Sequence, residues 1–363
     1  MSAPIGRRQF VASAGGTLFC TLAGHKLTSN AHVNIQELSG GVPVPPKVAA
    51  YYRAQASAEA EAQQAGRPEF VSETRPRPAT AAGAVNTYWI KAVRTKWNIV
   101  PTHHDGMMDR KVPGKTTFTA LAYQPWAPGF AKPLGPPQIP GPLLEAQTGD
   151  TIVVNFRNQT GVPVTMHPHG IFYTHDMDGA YKGKYTEPGG FVENGRTFQY
   201  VWEARAGTEG AWLYHDHGPM DPLPVFKGMF GGLIIRKPTD PVPNREFFVF
   251  LHSFAPLATG LEQQFSCING RAYAGNTPTL RAKVGDTVNW HVFAIDNDFH
   301  AFHLHGHRWL DPDGGVLIDN HTLGPADVTS FSIVEDNPGR WFYHCHVFSH
   351  LHMGMNGWYV VSP

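Results

Sequence analysis

The sequence holds twenty histidines, and six times it sets two of them one residue apart. Chance would give a chain of this composition about one such pair. Four pairs carry the argument: His167-Pro168-His169, His215-Asp216-His217, His303-Leu304-His305 and His344-Cys345-His346. On an extended strand residues i and i+2 face the same way, so each pair aims two imidazoles in one direction. Imidazole is the commonest side-chain metal ligand, and four converging pairs offer eight nitrogens, enough for three copper ions. The residue between the members of a pair faces the other way. Cys345 therefore points away from His344 and His346, and His300, an odd number of residues from His303 and His305, points away from those two. Cys345 and His300, with His350 and Met355 in the turn that follows, make a second set: a thiolate, two imidazoles and a weak thioether. That is the donor set of a blue electron-transfer copper. Zinc also accepts sulfur and imidazole, but it does no redox chemistry and has no use for the thioether.

The elements that must position these groups read as strands. Short β-rich segments, such as Thr151 to Phe156 and Arg196 to Trp202, alternate with Gly and Pro turns from Tyr88 onward, with no long helical period. An internal repeat sets the plan. Pro142 to Thr151 aligns with Pro278 to Thr287, and the same register carries His167-Pro168-His169-Gly170 onto His303-Leu304-His305-Gly306. A second match sets Trp212-Leu213-Tyr214-His215-Asp216-His217 against Trp341-Phe342-Tyr343-His344-Cys345-His346. The expectation is an all-β chain of two duplicated Greek-key sandwich domains, 86–240 and 241–363. The first copy has no blue site: Val164 stands for His300, Asp216 for Cys345, and Phe230 for Met355.

Acidic and basic residues balance at 29 each, which argues against a nucleic-acid partner or a polybasic membrane patch. Three cysteines are too few for a disulfide framework. Residues 1–31 read as an export signal, with Arg7-Arg8-Gln9-Phe10-Val11 like a twin-arginine motif before a weakly apolar stretch too short to span a membrane. The expected location is periplasmic or extracellular. The bulky Phe19 before Cys20 argues against a lipid anchor there. Residues 32–85 read as a tail or linker, with one helix expected from Lys47 to Ala65.

The paired histidines, His300-Ala301-Phe302-His303-Leu304-His305, and the run from His344 through His350 to Met355 resemble the multicopper oxidases over residues 86–363, and within them the small bacterial two-domain laccases. The resemblance implies two cupredoxin-like domains and four coppers per chain. A type 2 copper would sit on His167 and His303. One type 3 copper would take His169, His215 and His346, the other His217, His305 and His344, and the type 1 copper His300, Cys345, His350 and Met355. It implies one-electron oxidation of a small reducing substrate, phenols first, with dioxygen reduced to water. Cys345, His344 and His346 would be the electron path. Oxidation of Cu(I), Fe(II) or Mn(II) is the alternative, and a copper carrier or store without oxygen chemistry a third. It also implies a homotrimer with clusters between chains. Copper nitrite reductases share the fold but carry the blue site in the first domain. Asp178 and Tyr173 match an acid and a tyrosine near the relatives' cluster; a turn-forming Asp and a core Tyr are the plain alternatives. Outside the ligand set, His103 and His104 read as a solvated loop and Cys267 as a buried apolar residue.

Overall fold

The computed structural model describes residues 83–183, 189–312 and 314–363, together with the backbone of three short strands, Phe19–Leu22, His25–Thr28 and Val71–Ser72. The expected signal region and tail, with the helix over Lys47 to Ala65, otherwise lie outside the described residues. Phe19–Leu22 and His25–Thr28 pair antiparallel with each other. No helix among the described residues is long and apolar enough to cross a membrane.

Eight strands build the first sandwich: β1 Val85–Asn98, β2 Thr117–Pro125, β3 Gly141–Gln147, β4 Thr151–Gln159, β5 His167–Pro168, β6 Thr197–Glu203, β7 Gly210–His215 and β8 Phe230–Arg236. They form two sheets, ordered β6-β4-β1-β2 and β5-β7-β8-β3. Nine strands build the second: β9 Arg245–Phe254, β10 Phe265–Ile268, β11 Leu280–Lys283, β12 Thr287–Ala294, β13 His300–Leu304, β14 Asn320–Leu323, β15 Val328–Val334, β16 Gly339–Cys345 and β17 Asn356–Ser362. Their sheets run β15-β12-β9-β10 and β14-β13-β16-β17-β11. Strand for strand the second order repeats the first, with β14 added at an edge. The parallel pairs recur at matching places, β1 with β4 and β9 with β12, β8 with β3 and β17 with β11. The sequence repeat is thus a repeat of topology. Val71–Ser72 extends the pairing of β9, opposite Phe247 and Glu246.

Alternation explains why these segments are strands. In β4, Ile152, Val154 and Phe156 are buried while Thr151, Val153, Asn155 and Arg157 are partly exposed, the period-two pattern of a sheet with one packed face. Each sandwich closes on its own core, around Trp202 and Tyr214 in the first and Trp290 and Tyr343 in the second. A third core lies between the sandwiches, where Leu213, Phe230 and Ile234 meet Phe248, Phe250 and Phe293. Phe250 and Phe293 stack at 4.2 Å.

A buried ionic brace crosses the same seam. Arg236, ending β8, donates to both carboxylate oxygens of Glu246 on β9 at 2.6 and 2.7 Å, and to Glu145 on β3 at 3.1 Å. His291 reaches Glu246 through Nε2 at 3.0 Å and Ser330 through Nδ1 at 2.8 Å. Burial opposes charge on Glu246, but the bonds from His291 and Arg236 outweigh it and bring its carboxyl from 4.5 down to about 2. Because this folded-state value is depressed, the stabilisation is fully present above about pH 4.5 and is lost as the pH falls toward about 2. Removing one partner of a buried ion pair costs ~3 kcal/mol or more. Glu246→Gln should therefore lower stability by about that much in denaturant titrations at neutral pH. The gap from wild type should close as the pH falls from 4.5 toward 2; equal stability at neutral pH would refute the brace.

Candidate metal centres

The sulfur-containing set is assembled as strand parity requires. Phe302 of β13 is paired with Cys345 of β16, and His303 with His344. Phe302 and Cys345 turn into the second core, while the histidine pair turns out of it. His300, at the start of β13, shares the Phe302 parity and is fully buried. After β16 the chain makes one short helix, α1 Phe348–His352, which returns His350 to the sulfur. The Sγ of Cys345 lies 3.8 Å from Nδ1 of His300 and 3.6 Å from Nδ1 of His350. It also accepts the Ala301 amide at 3.4 Å. Met355 is fully buried beside them, its carbonyl accepting from the Cys345 amide and its amide donating to the His350 carbonyl. Both imidazoles are held from behind by carboxylates: Nε2 of His300 lies 3.1 Å from Asp296 and Nε2 of His350 lies 3.2 Å from Asp298. Burial disfavours both charges, yet the hydrogen bonds to Asp296 and Cys345 carry His300 up to about 9, and those from His300 and His350 bring the Cys345 thiol down to about 6. A thiolate facing two imidazoles whose outer nitrogens are already engaged is a pocket for a soft cation.

The paired histidines form two further groups. His167, His169 and His215 make one, and His303, His305 and His344 the other, with donor atoms within 4.8 Å of one another in each. Nε2 of His169 faces Nε2 of His215 at 3.0 Å, and Nε2 of His305 faces Nε2 of His344 at 3.1 Å. Four of these rings donate Nδ1–H to a main-chain carbonyl: His167 to Asp178 and His303 to Asp319, each at 2.7 Å, His215 to Asp216 at 2.8 Å, and His344 to Cys345 at 2.9 Å. A carbonyl can only accept, so the proton is fixed on Nδ1 and the lone pair of Nε2 points into the group. Burial first, then neighbouring imidazoles, hold His215 down at about 3 and His169 at about 4; burial likewise holds His344 at about 4. These rings stay neutral near pH 7, the form that binds metal. His217 stands at the edge of the first group, its ring 5.4 Å from that of His167, and His346 at the edge of the second, 5.4 Å from His303. Each group draws on one sandwich only.

Other residues singled out by sequence take definite places. Asp178 caps His167, with Oδ1 3.0 Å from Nδ1 and Oδ2 2.6 Å from the Lys182 ammonium. Tyr173 lies with its ring 5.9 Å from His167 and hydrogen-bonds Asp178. Asp216 is fully buried where the second copy has Cys345, and it accepts the amides of Thr165 at 2.6 Å and Gly218 at 3.3 Å. Val164 is fully buried. His104 is paired with Asp109 at 3.1 Å in a short hairpin, and Cys267 is buried in the core between the sandwiches. Asp296 and Asp298 were not singled out, although Asp296 lies four residues before His300, a spacing that could have flagged it. His307 also has a partner: its Nε2 meets the buried Glu335 at 2.9 Å while Nδ1 donates to the carbonyl of His305.

Profiles described as multicopper oxidase match residues 136–240 and 252–363. The chain belongs to the multicopper oxidases. Among curated relatives of this oxidase, the probable nitrite reductase-hydroxylamine oxidoreductase fusion protein of Kuenenia stuttgartiensis is 34% identical over 62% of the chain and 28% of that protein. Ferroxidase HEPHL1 of Mus musculus is 27% identical over 77% of the chain and 30% of that protein. The oxidase thus spans less than a third of either relative's length. A solved structure described as a multicopper oxidase superposes with a TM-score of 0.63 at 21% identity, over 81% of this chain and 95% of the other, which shows the cupredoxin-like fold.

Copper is the family's metal, and the donor chemistry fits it: one soft sulfur with two imidazoles and a buried Met, and two groups of imidazoles, four of whose rings have oriented lone pairs. The copper-loaded oxidase should be intensely blue, and Cys345→Ser should abolish the colour and leave copper on the paired histidines. Met355→Leu should keep the colour and raise the potential, if the Met355 thioether would be a weak donor to a copper held there. A colourless wild-type protein at full copper loading would remove Cys345 from the metal site.

Proposed function

We propose that this oxidase is laccase-like, taking electrons singly from small reductants and passing four to dioxygen. The observation that carries the reading is the end of strand β16, which presents Cys345 to one donor set and the adjacent His344 to another, with His346 following at that set's edge. When bound, copper supplies the one-electron couple at the sulfur set and the four-electron reduction of dioxygen at the histidine groups. The chain's part is to hold the donors and move charge and protons to them. Cys345 is covalently joined to both neighbouring histidines, so a single peptide link separates it from each. Asp178, tied to His167, Lys182 and Tyr173, is the acid placed to handle protons at the histidine groups. A copper carrier without oxygen chemistry would show no oxygen uptake with any reductant.

The reductant divides into two classes at Asp298. Its carboxylate is half-exposed while it holds the outer nitrogen of His350, and Phe299 beside it is exposed. Phenols are the first reading, with Asp298 accepting the phenolic proton. Fe(II) or another metal cation is the second, supported by the carboxylates behind both imidazoles and by the likeness to a ferroxidase. Steady-state rates with phenols, aromatic amines, Fe(II) and hexacyanoferrate(II) separate them. Asp298→Asn should lower kcat/KM about tenfold for the natural class only. A loss confined to phenols supports the first reading and one confined to Fe(II) the second. Equal rates throughout would leave Asp298 outside electron entry.

The division of the imidazoles between the sandwiches supports a proposed assembly. Each sandwich supplies one group of four, and a three-copper cluster needs two such groups face to face. The proposed arrangement is a ring trimer, the first sandwich of one chain meeting the second of the next, a head-to-tail contact that closes by rotation. Export by the twin-arginine route to the periplasm or beyond is proposed on Arg7-Arg8-Gln9-Phe10-Val11. Co-expression of two inactive variants, His215→Ala and His303→Ala, should restore activity to about a quarter of wild type if clusters span chains, since random mixing leaves that share with both halves intact. A dead mixture would mean that each chain builds its own cluster.

A further inference from the structure

The outer face of the first sandwich carries two cations that the metal chemistry does not use. On β1 and β4, Trp89 is paired with Asn155 and Lys91 with Arg157. Gln199 and Thr197 of β6 continue the two rows. Side chains alternate along a strand, so all six share one face, opposite the buried Ile90 and Phe156. The segment 126–131 crosses this face. The Trp126 ring lies 3.3 Å from the Lys91 ammonium. Phe130, at a positive φ of 58°, sets its ring 5.6 Å from the same ammonium and 4.4 Å from the Arg157 guanidinium carbon. It meets Trp89 edge-on at 4.9 Å.

Lys91 is 6% exposed, and no carboxylate among the described residues pairs with it. Nε of Arg157 is buried and has no acceptor. Covering two like charges on adjacent strands removes the water that would screen them, and ring faces attract a cation without neutralising it. Burial, and after it the Arg157 charge, hold the Lys91 ammonium below the ordinary lysine range. Beside the pair opens a pocket of about 300 Å³ lined by Trp89, Phe130, Asn155, Arg157, Thr197 and Gln199. That volume is at the small end of ligand sites, ~300–1,000 Å³. Aromatic side chains in the lining favour an aromatic ring, and the guanidinium of Arg157 favours a carboxylate over a neutral group.

We propose that this pocket binds a small aromatic carboxylate, its ring beside Trp89 and Phe130 and its charge on the Arg157 guanidinium. Calorimetric titration of the copper-loaded oxidase with benzoate, benzamide and inorganic phosphate tests the site. Benzoate should bind with a Kd of about 1 mM or tighter. Benzamide, which has the shape without the charge, and phosphate, which has charge without the ring, should bind about tenfold more weakly or not at all. Arg157→Gln should weaken benzoate about tenfold or more, and a cooperative thermal transition will show that the variant is folded. Absence of saturable benzoate binding, phosphate binding as tight as benzoate, or benzoate affinity unaltered in the folded variant would overturn the proposal.

Discussion

The two-residue period of a β-strand governs this molecule more than any single contact. Within three consecutive residues, His344, Cys345 and His346, the pleat turns a thiol into a dry aromatic core and two imidazoles out of it. One strand thereby belongs to two sites of different chemistry. The demands on its register are correspondingly strict: a slip of one residue would turn the sulfur out of the core and both rings into it. The pairing of β16 with β13 and β17 on either side, and the aromatic rings packed around Trp290, hold that register.

Much of this was legible in the residues. The histidine pairs repeat with the sheet order, and Val164, Asp216 and Phe230 occupy buried positions that correspond to His300, Cys345 and Met355. Parity along an extended segment needs no tertiary information, so the separation of the second sandwich's sulfur set from its paired histidines could be read directly. What could not be read depends on distance between elements. Asp298 reaches His350 across 52 positions of sequence, and Asp319 meets His303 through a main-chain carbonyl that has no side-chain signature. The seam brace of Glu246, Arg236 and His291 was hidden for the same reason, because each member looks like an ordinary surface residue on its own strand.

The two kinds of site are stiffened by different means. The sulfur set sits in apolar packing and is backed by two carboxylates, so its imidazoles are fixed by side chains that came together from a loop. In the paired-histidine groups, the four rings whose Nδ1 is engaged are fixed by the main chain. The difference follows from burial: the sulfur set lies within a core, where a carboxylate survives only if paired, whereas the histidine groups line a face where loop carbonyls are free to accept.

Those carbonyl braces have an evolutionary consequence. A support provided by a side chain disappears with one substitution, but a main-chain carbonyl persists whatever residue carries it, provided the loop keeps its path. The aim of the Nε2 lone pairs of His167, His215, His303 and His344 is therefore inherited with the backbone, and it can outlast extensive divergence of the surrounding sequence.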